Sequence, residues 1–434
     1  MDETPPPIPR RNPLGPLPPV TPPSAVPPPM PPQGAPYHAA EPEPEPRLCK
    51  MAVGSCILSV LGFFMAGIPS FFGFIFGIVA MIRIKRSDGD LKGKGWAISG
   101  IVSGAVIMIA IGVFIQKFSS IIEEQMVANE EPFAYINTPP NFKGLLDRAD
   151  RTSLGDVHVL QVKTHGSEPA QNMQLRIYLP AGAEDAAPGS LPCVLVAPAG
   201  TDLLSGAMLG ELDDEAYHDE TLPYAEAGIV TVFYSIDGGG EDYFYDDDSM
   251  MEAASSQYDQ FRDAQAGILN GRYALEFVLA ELPMVNPEQI YTAGHSSAGT
   301  LSLLLAMHEP RVAGCLAYAP GVDIEVFHAE LLDTPLIGLI FPNVKNFLRK
   351  SSPINNVEKL QCPTFLFQSM EDEVVEIGEF NAFTDRLKAQ PNAPEFDIMI
   401  IEQGDHYWPM IEDGMPAGIE WIKERVSTSG EVTH

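Results

Sequence analysis

Apolar and polar positions fall into three regimes along this chain. Residues 1–46 show no apolar periodicity, residues 51–116 are almost continuously apolar, and beyond residue 150 short apolar runs alternate with amphipathic ones. In the middle regime, Met51–Ile82 carries no charge and is broken only by Pro69, and Ala97–Ile115 carries none either. A bilayer crossing takes about 20 residues, so the second run predicts one transmembrane helix. The first run is too long for one upright helix. It predicts either a long tilted helix kinked at Pro69 or two short segments. Gly73-x-x-x-Gly77 and Gly100-x-x-x-Gly104 offer small surfaces where helices can approach closely.

In the third regime, Val157–Val162 and Met173–Leu179 read as a strand pair, and Pro192–Ala197 as a strand buried on both faces. A helix is expected over Glu215–Ala227, a strand over Ile229–Tyr234, and one long helical stretch from Ser256 to Leu282. Strands Gln289–Ala293, Ala313–Tyr318, Thr364–Gln368 and Phe396–Ile401 follow, with helices after Leu301 and over Glu379–Ala389 and Pro409–Arg425. Such alternation builds an α/β fold, a mainly parallel sheet covered by helices on both faces. Residues 117–150 read as a polar connector leading to a domain over 151–428. Within it, residues 322–358, with Phe327, Leu331, Leu332, Ile337 and Phe341, have the apolar content of a small helical cap that shapes the substrate pocket.

Composition and charge separate the regimes further. Residues 1–46 hold 19 of the 41 prolines, which makes residues 1–50 a disordered or polyproline tail. No hydrophobic region lies near the N-terminus, so no conventional signal peptide is expected. Residues 1–120 carry 10 basic and 7 acidic residues, leaving 16 basic and 51 acidic on the remainder, a net charge of about −35. That is the opposite of the basic footprint that nucleic-acid binding needs. The acidity reads as a solvated surface, with attraction of cationic substrates as the sharper alternative. The acidic loop from Gly238 to Asp248 meets no established ligand spacing for a cation, and reads as a solvated loop. The five cysteines form no CxxC pair and no metal-ligand spacing. No metal and no cofactor is expected.

Between the two apolar runs, Arg83, Lys85, Arg86, Lys92 and Lys94 outweigh Asp88 and Asp90. The positive-inside rule places this loop in the cytoplasm, so the helix after it exits and the globular part lies outside. The stretch containing AMIRIKRSDGDLKGKGWAISGIVSG resembles a small bacterial membrane-hairpin family of unknown function, over roughly residues 50–116. The resemblance implies a transmembrane helical hairpin that anchors the chain in a bacterial cell membrane.

The chemistry is carried by Gly294-His295-Ser296-Ser297-Ala298-Gly299, a turn between a strand and an apolar helix. Small residues two before and two after a serine, at a strand-to-helix turn, make a nucleophile elbow that lifts the hydroxyl above the sheet. A serine hydroxyl needs a base to take its proton and a carboxylate to orient that base. The loop Ser369–Val375 after one later strand holds Asp372, with Glu371 and Glu373 as competitors, and Gly404-Asp405-His406 follows the last strand. His295 reads as a packing or orienting residue, and Asp405 as a cap of the final helix or its loop.

On these motifs the segment from about 155 to 426 resembles the α/β-hydrolase superfamily, in its branch of prolyl-oligopeptidase-like and dienelactone-hydrolase-like esterases. The resemblance implies Ser296 as nucleophile, Asp372 as acid and His406 as base. Ala298 departs from the family's first glycine after the serine, and Gln368-Ser369 from its frequent His-Gly; neither removes a group the mechanism needs. Backbone donors for the oxyanion are expected at Ser297 and at Ala199 or Gly200. The expected function is a membrane-anchored serine hydrolase that cleaves a carboxylic ester. Its rivals are a peptidase of short peptides and a non-catalytic binding module at the membrane.

Overall fold

A computed structural model describes residues 46–61, 68–127, 133, 138–240, 247–334 and 337–431. The proline-rich tail through residue 45 and the acidic stretch 241–246 lie outside the described residues. The chain divides into two compact units, residues 1–117 and 118–434.

The first unit contains the short strand β1 (Arg47–Leu48), helices α1 (Lys50–Leu61) and α2 (Ile68–Lys85), the short strand β2 (Leu91–Lys92) and the start of α3 (Lys94–Val127). Pro69 stands in the first turn of α2, where its missing N–H costs nothing. The first apolar run is therefore two helices and not one kinked rod. Both glycine pairs lie at close approaches. A Cβ on Gly73 would run into Ser59, one on Gly77 into Ala97 and Ile101, and one on Gly100 into Ser55. Ser59 Oγ donates to the Gly100 carbonyl at 2.7 Å, and Ser70 Oγ to that of Ser59 at 2.9 Å. Close backbone approach with serine cross-links is how apolar helices associate where no water drives them together. Two helical stretches, Ile68–Lys85 and Lys94–Phe114, are long and apolar enough to cross a membrane; α1, with 12 residues, is too short.

The second unit is built on a nine-stranded sheet. Its strands are β3 (Asp150–Leu154), β4 (Val157–Lys163), β5 (Gln174–Leu179), β6 (Leu191–Val196), β7 (Val230–Tyr234), β8 (Val285–His295), β9 (Gly314–Tyr318), β10 (Thr364–Ser369) and β11 (Phe396–Ile401). Their spatial order is β11-β10-β9-β8-β6-β7-β5-β4-β3. Strands from β7 through β11 in that row run parallel, and β3, β4 and β5 attach antiparallel at one side. Helices α4 (His218–Glu226), α5 (Asp247–Asp263), α6 (Ile268–Glu281), α7 (Ser297–His308), α8 (Ile324–Phe327), α9 (Ala329–Leu332), α10 (Ile337–Ile340), α11 (Val344–Ser351), α12 (Ile377–Lys388) and α13 (Met415–Glu431) complete the unit.

Alternate residues of each central strand face opposite layers. Cys193 and Leu195 pack with Leu269, Leu301 and Leu305 on one face, while Val194 and Val196 pack with Tyr224, Ile419 and Trp421 on the other. This is the α/β-hydrolase arrangement expected from the sequence, with two corrections. The long helix expected from Ser256 to Leu282 breaks between α5 and α6, where Gln265, Ala266 and Gly267 all take positive φ, 57°, 54° and 74°. Left-handed backbone costs a non-glycine residue about 1–2 kcal/mol, so local propensity is overridden by burial of Ala264 and Ala266 in the core at this corner. The domain also opens with a strand not expected from the sequence, β3, whose side chains are exposed except for the half-buried Leu154.

Candidate active site

The sheet itself sets the location. From β6 the chain moves to β7 on one side, and from β8 to β9 on the other, so the connections leaving the carboxyl ends of β6 and β8 part there, the crevice where open α/β sheets bind ligands. Ser296 follows β8 there, and Ala199 and Gly200 follow β6.

Ser296 has φ 54° and ψ −124°, a strained conformation for a residue with a side chain and worth about 1–3 kcal/mol. The surroundings enforce it. Its amide donates to the Tyr318 carbonyl at 2.9 Å, and α7 starts at the next residue. A Cβ on Gly294 would lie 2.5 Å from the Ala298 backbone carbonyl carbon. The junction thus has room for the methyl of Ala298 but not for one at 294.

The histidine and acid meet as the motifs imply. His406 Nδ1 lies 2.7 Å from Asp372 Oδ2, and the Asp372 side chain is fully buried. Burial pushes the Asp372 carboxyl up, but hydrogen bonds from His406 and from the amides of Val375 and Val374 outweigh it and hold the group below its usual range. Of the competing carboxylates, Glu371 accepts from the Gly404 amide at 3.3 Å instead. His406 Nε2 is buried and has no hydrogen-bond partner among the described residues, and His406 and Ser296 line the same cavity.

The second departure from the family pattern, Gln368-Ser369, braces the acid loop and ties it to the histidine loop. Gln368 Nε2 donates to the Val375 carbonyl at 2.6 Å, and Ser369 Oγ to the Gly404 carbonyl at 2.6 Å. Asp405 accepts from the amides of Tyr407 and Trp408, capping the turn behind His406 as read from the sequence. His295 Nε2 lies 2.8 Å from the His406 carbonyl. Burial first, and the neighbouring His406 second, push its pKa down to about 4. It is therefore a neutral imidazole donating to that carbonyl and positioning the His406 backbone.

Ser297 and the loop after β6 are linked directly. Thr201 N donates to Ser297 Oγ at 3.0 Å, and Tyr217 Oη donates to the Ala199 carbonyl at 2.9 Å. Ala199 and Gly200 line the cavity of about 690 Å³ that also holds Ser296 and His406. Its remaining wall corrects an expectation. The 322–358 insertion is helical, but among the described residues none of it lines this cavity; the wall comes from Glu215–Glu220 and Tyr407. The insertion contacts the neighbouring loop through His328 Nε2, 2.6 Å from the Asp202 carbonyl. In the sequence, 215–220 reads as the start of the helix expected over Glu215–Ala227. Its one signal was the density of acidic and aromatic residues there.

Comparison with known proteins gives two family matches. Residues 217–423 match the prolyl oligopeptidase family, and residues 51–114 match a domain of unknown function, DUF4190. The 2,6-dihydropseudooxynicotine hydrolase of Paenarthrobacter nicotinovorans is 22% identical over 219 residues, 46% of this chain and 51% of that protein. The chain thus spans about half the length of the curated relative it matches. Among solved structures, an acetyl xylan esterase from Paenibacillus sp. R4 is 17% identical with a TM-score of 0.45, covering 64% of this chain and 92% of that one. The Pyrococcus horikoshii acylaminoacyl peptidase is 18% identical with a TM-score of 0.45, covering 63% and 42%.

Proposed function

We propose that the second unit, an α/β-hydrolase-fold serine hydrolase whose residues 217–423 match the prolyl oligopeptidase family, cleaves a carboxylic ester through an acyl-enzyme on Ser296. The observation that carries this reading is a strained serine sharing one cavity with a histidine whose far nitrogen rests on a buried carboxylate.

Ser296 Oγ attacks the ester carbonyl carbon while His406 Nε2, which has no partner among the described residues, takes its proton. Asp372 holds the imidazole in the tautomer with Nδ1–H and stabilises the imidazolium that forms. The oxyanion is met by the amide of Ser297 and one from the Ala199–Gly200 pair, preorganised dipoles that need no reorientation as charge develops. His406 returns the proton to the leaving alcohol, and water then releases the acyl group by the same steps in reverse order. The hydrophobic helices Ile68–Lys85 and Lys94–Phe114 hold this unit on the outer face of a bacterial membrane, a reading supported by their length, their apolarity and the basic turn between them.

The test is labelling with a fluorophosphonate probe. Folded wild type is expected to label and Ser296→Ala to remain blank; a wild type that stays unlabelled overturns the enzymatic reading in favour of a binding module.

A further inference from the structure

The wall beside Ser296 is rich in carboxyl groups. Glu215, Asp219 and Glu220 all line the 690 Å³ cavity, and no lysine or arginine is among the residues that line it. Glu220 is only 7% exposed, yet its carboxyl accepts no hydrogen bond and joins no ion pair among the described residues. His218 Nε2, on the same wall, is a fully buried atom with no partner among the described residues. A buried carboxyl with no donor costs several kcal/mol when it ionises, so native structures seldom leave one in place without a partner.

The buried arginine that holds the preceding loop does not supply that partner. Arg176, 1% exposed, donates to the carbonyls of Gly210, Glu211 and Asp214 at 3.0, 2.6 and 3.1 Å, and to Gln161 Oε1 at 2.9 Å. Its donors fix the backbone of the loop and leave the carboxylates of the next residues to the cavity. Tyr407 Oη donates to Asp219 Oδ2, which ties the wall to the residue after His406. The rings of Tyr217 and Tyr407 also line the space, and a cation beside an aromatic face gains further attraction.

We propose that Glu215, Asp219 and Glu220 form a subsite for a cationic group, a primary or quaternary ammonium, on the substrate that Ser296 attacks. The proposal rests on the reading of Ser296 as nucleophile. Burial, with Asp219 beside it, raises the Glu220 carboxyl to about 8, the behaviour of a group lacking its counter-charge. An entering ammonium supplies that charge and draws the proton off.

The experiment uses the full chain in detergent and two isosteric pairs, each judged by its ratio of kcat/KM. Butyrylthiocholine against 3,3-dimethylbutyl thiobutyrate places the cation in the leaving half. p-Nitrophenyl 6-aminohexanoate against p-nitrophenyl heptanoate places it in the acyl half. At least one pair is expected to favour the cation by about tenfold or more, and Glu220→Gln and Glu215→Gln each to reduce that ratio severalfold. The exposed Glu215 keeps the test open should the buried Glu220 variant fold poorly. Glu288→Gln, an exposed change of the same charge elsewhere, leaves the ratio as it was. Ratios near one in a wild type that labels with fluorophosphonate overturn the subsite alone, as does an equal fall in Glu288→Gln, which would show only the general field. No labelling and no turnover of any ester overturns both readings.

Discussion

Three acidic residues stand side by side on the loop after β10, and burial separates them. The Asp372 side chain is fully buried on His406, whereas Glu371 and Glu373 are exposed. Asp372→Asn keeps the shape but offers His406 the wrong partner, and is expected to lower kcat on the order of 10³–10⁴-fold, while Glu371→Gln stays within a few-fold. Esterase kinetics on the two variants check this. Glu220 gives a second prediction, in stability. Its folded pKa, raised to about 8, exceeds the unfolded value of about 4.5, so the folded state binds the extra proton between them. Stability is fullest below about pH 4.5 and falls by up to about 1.4 kcal/mol per pH unit as pH rises toward 8. Glu220→Gln cannot ionise, and its unfolding temperature is expected to match wild type near pH 5 and exceed it at pH 9. A constant offset at both values would contradict this. The sequence pointed to Ser296, Asp372 and His406 because strand, loop and chain order restrict where such groups can stand. It was silent on the ties made by Gln368 and Ser369, since nothing local says which carbonyl a side chain will reach.

At the level of elements, the strand-to-helix junction is the tightest piece of the fold. β8 and α7 meet with a gap that admits one methyl, at Ala298, and a second at position 294 would press on the Ala298 backbone. Gly294→Ala is therefore expected to cost about 1–3 kcal/mol in overpacking and to displace Ser296, lowering both unfolding temperature and labelling rate. Retained labelling at wild-type rate would show that the junction yields more than its geometry suggests. The interior strands were legible for a plain reason: a strand buried on both faces must be a continuous apolar run, as Pro192–Ala197 is. β3 had no such signal, because an edge strand of Asp150-Arg151-Thr152-Ser153-Leu154 buries almost nothing. The corner between α5 and α6 was hidden for the opposite reason. Gln265 and Ala266 adopt left-handed backbone against their own preference, and only the core that buries Ala264 and Ala266 explains it.

At the scale of the whole molecule, the two units pose a question of sides. β1 pairs in parallel with β2, so Arg47 lies beside Leu91 in the basic turn between α2 and α3. If the basic residues of that turn hold it in the cytoplasm, Arg47 starts on the same side, and the helix containing Lys94–Phe114 leads away from it. The sequence alone leaves the N-terminal side open, because that depends on how the Met51–Ile82 run divides; the β1–β2 pairing is the observation that motivates the expectation of a cytoplasmic N-terminus. A green fluorescent protein matures in the bacterial cytoplasm but not when exported unfolded. Fused at the N-terminus it is expected to fluoresce, and fused at the C-terminus to stay dark, while protease added to intact cells removes the hydrolase unit. Fluorescence from both fusions, with full protection from protease, would place the hydrolase inside and would leave its acidic cavity open only to cytoplasmic substrates.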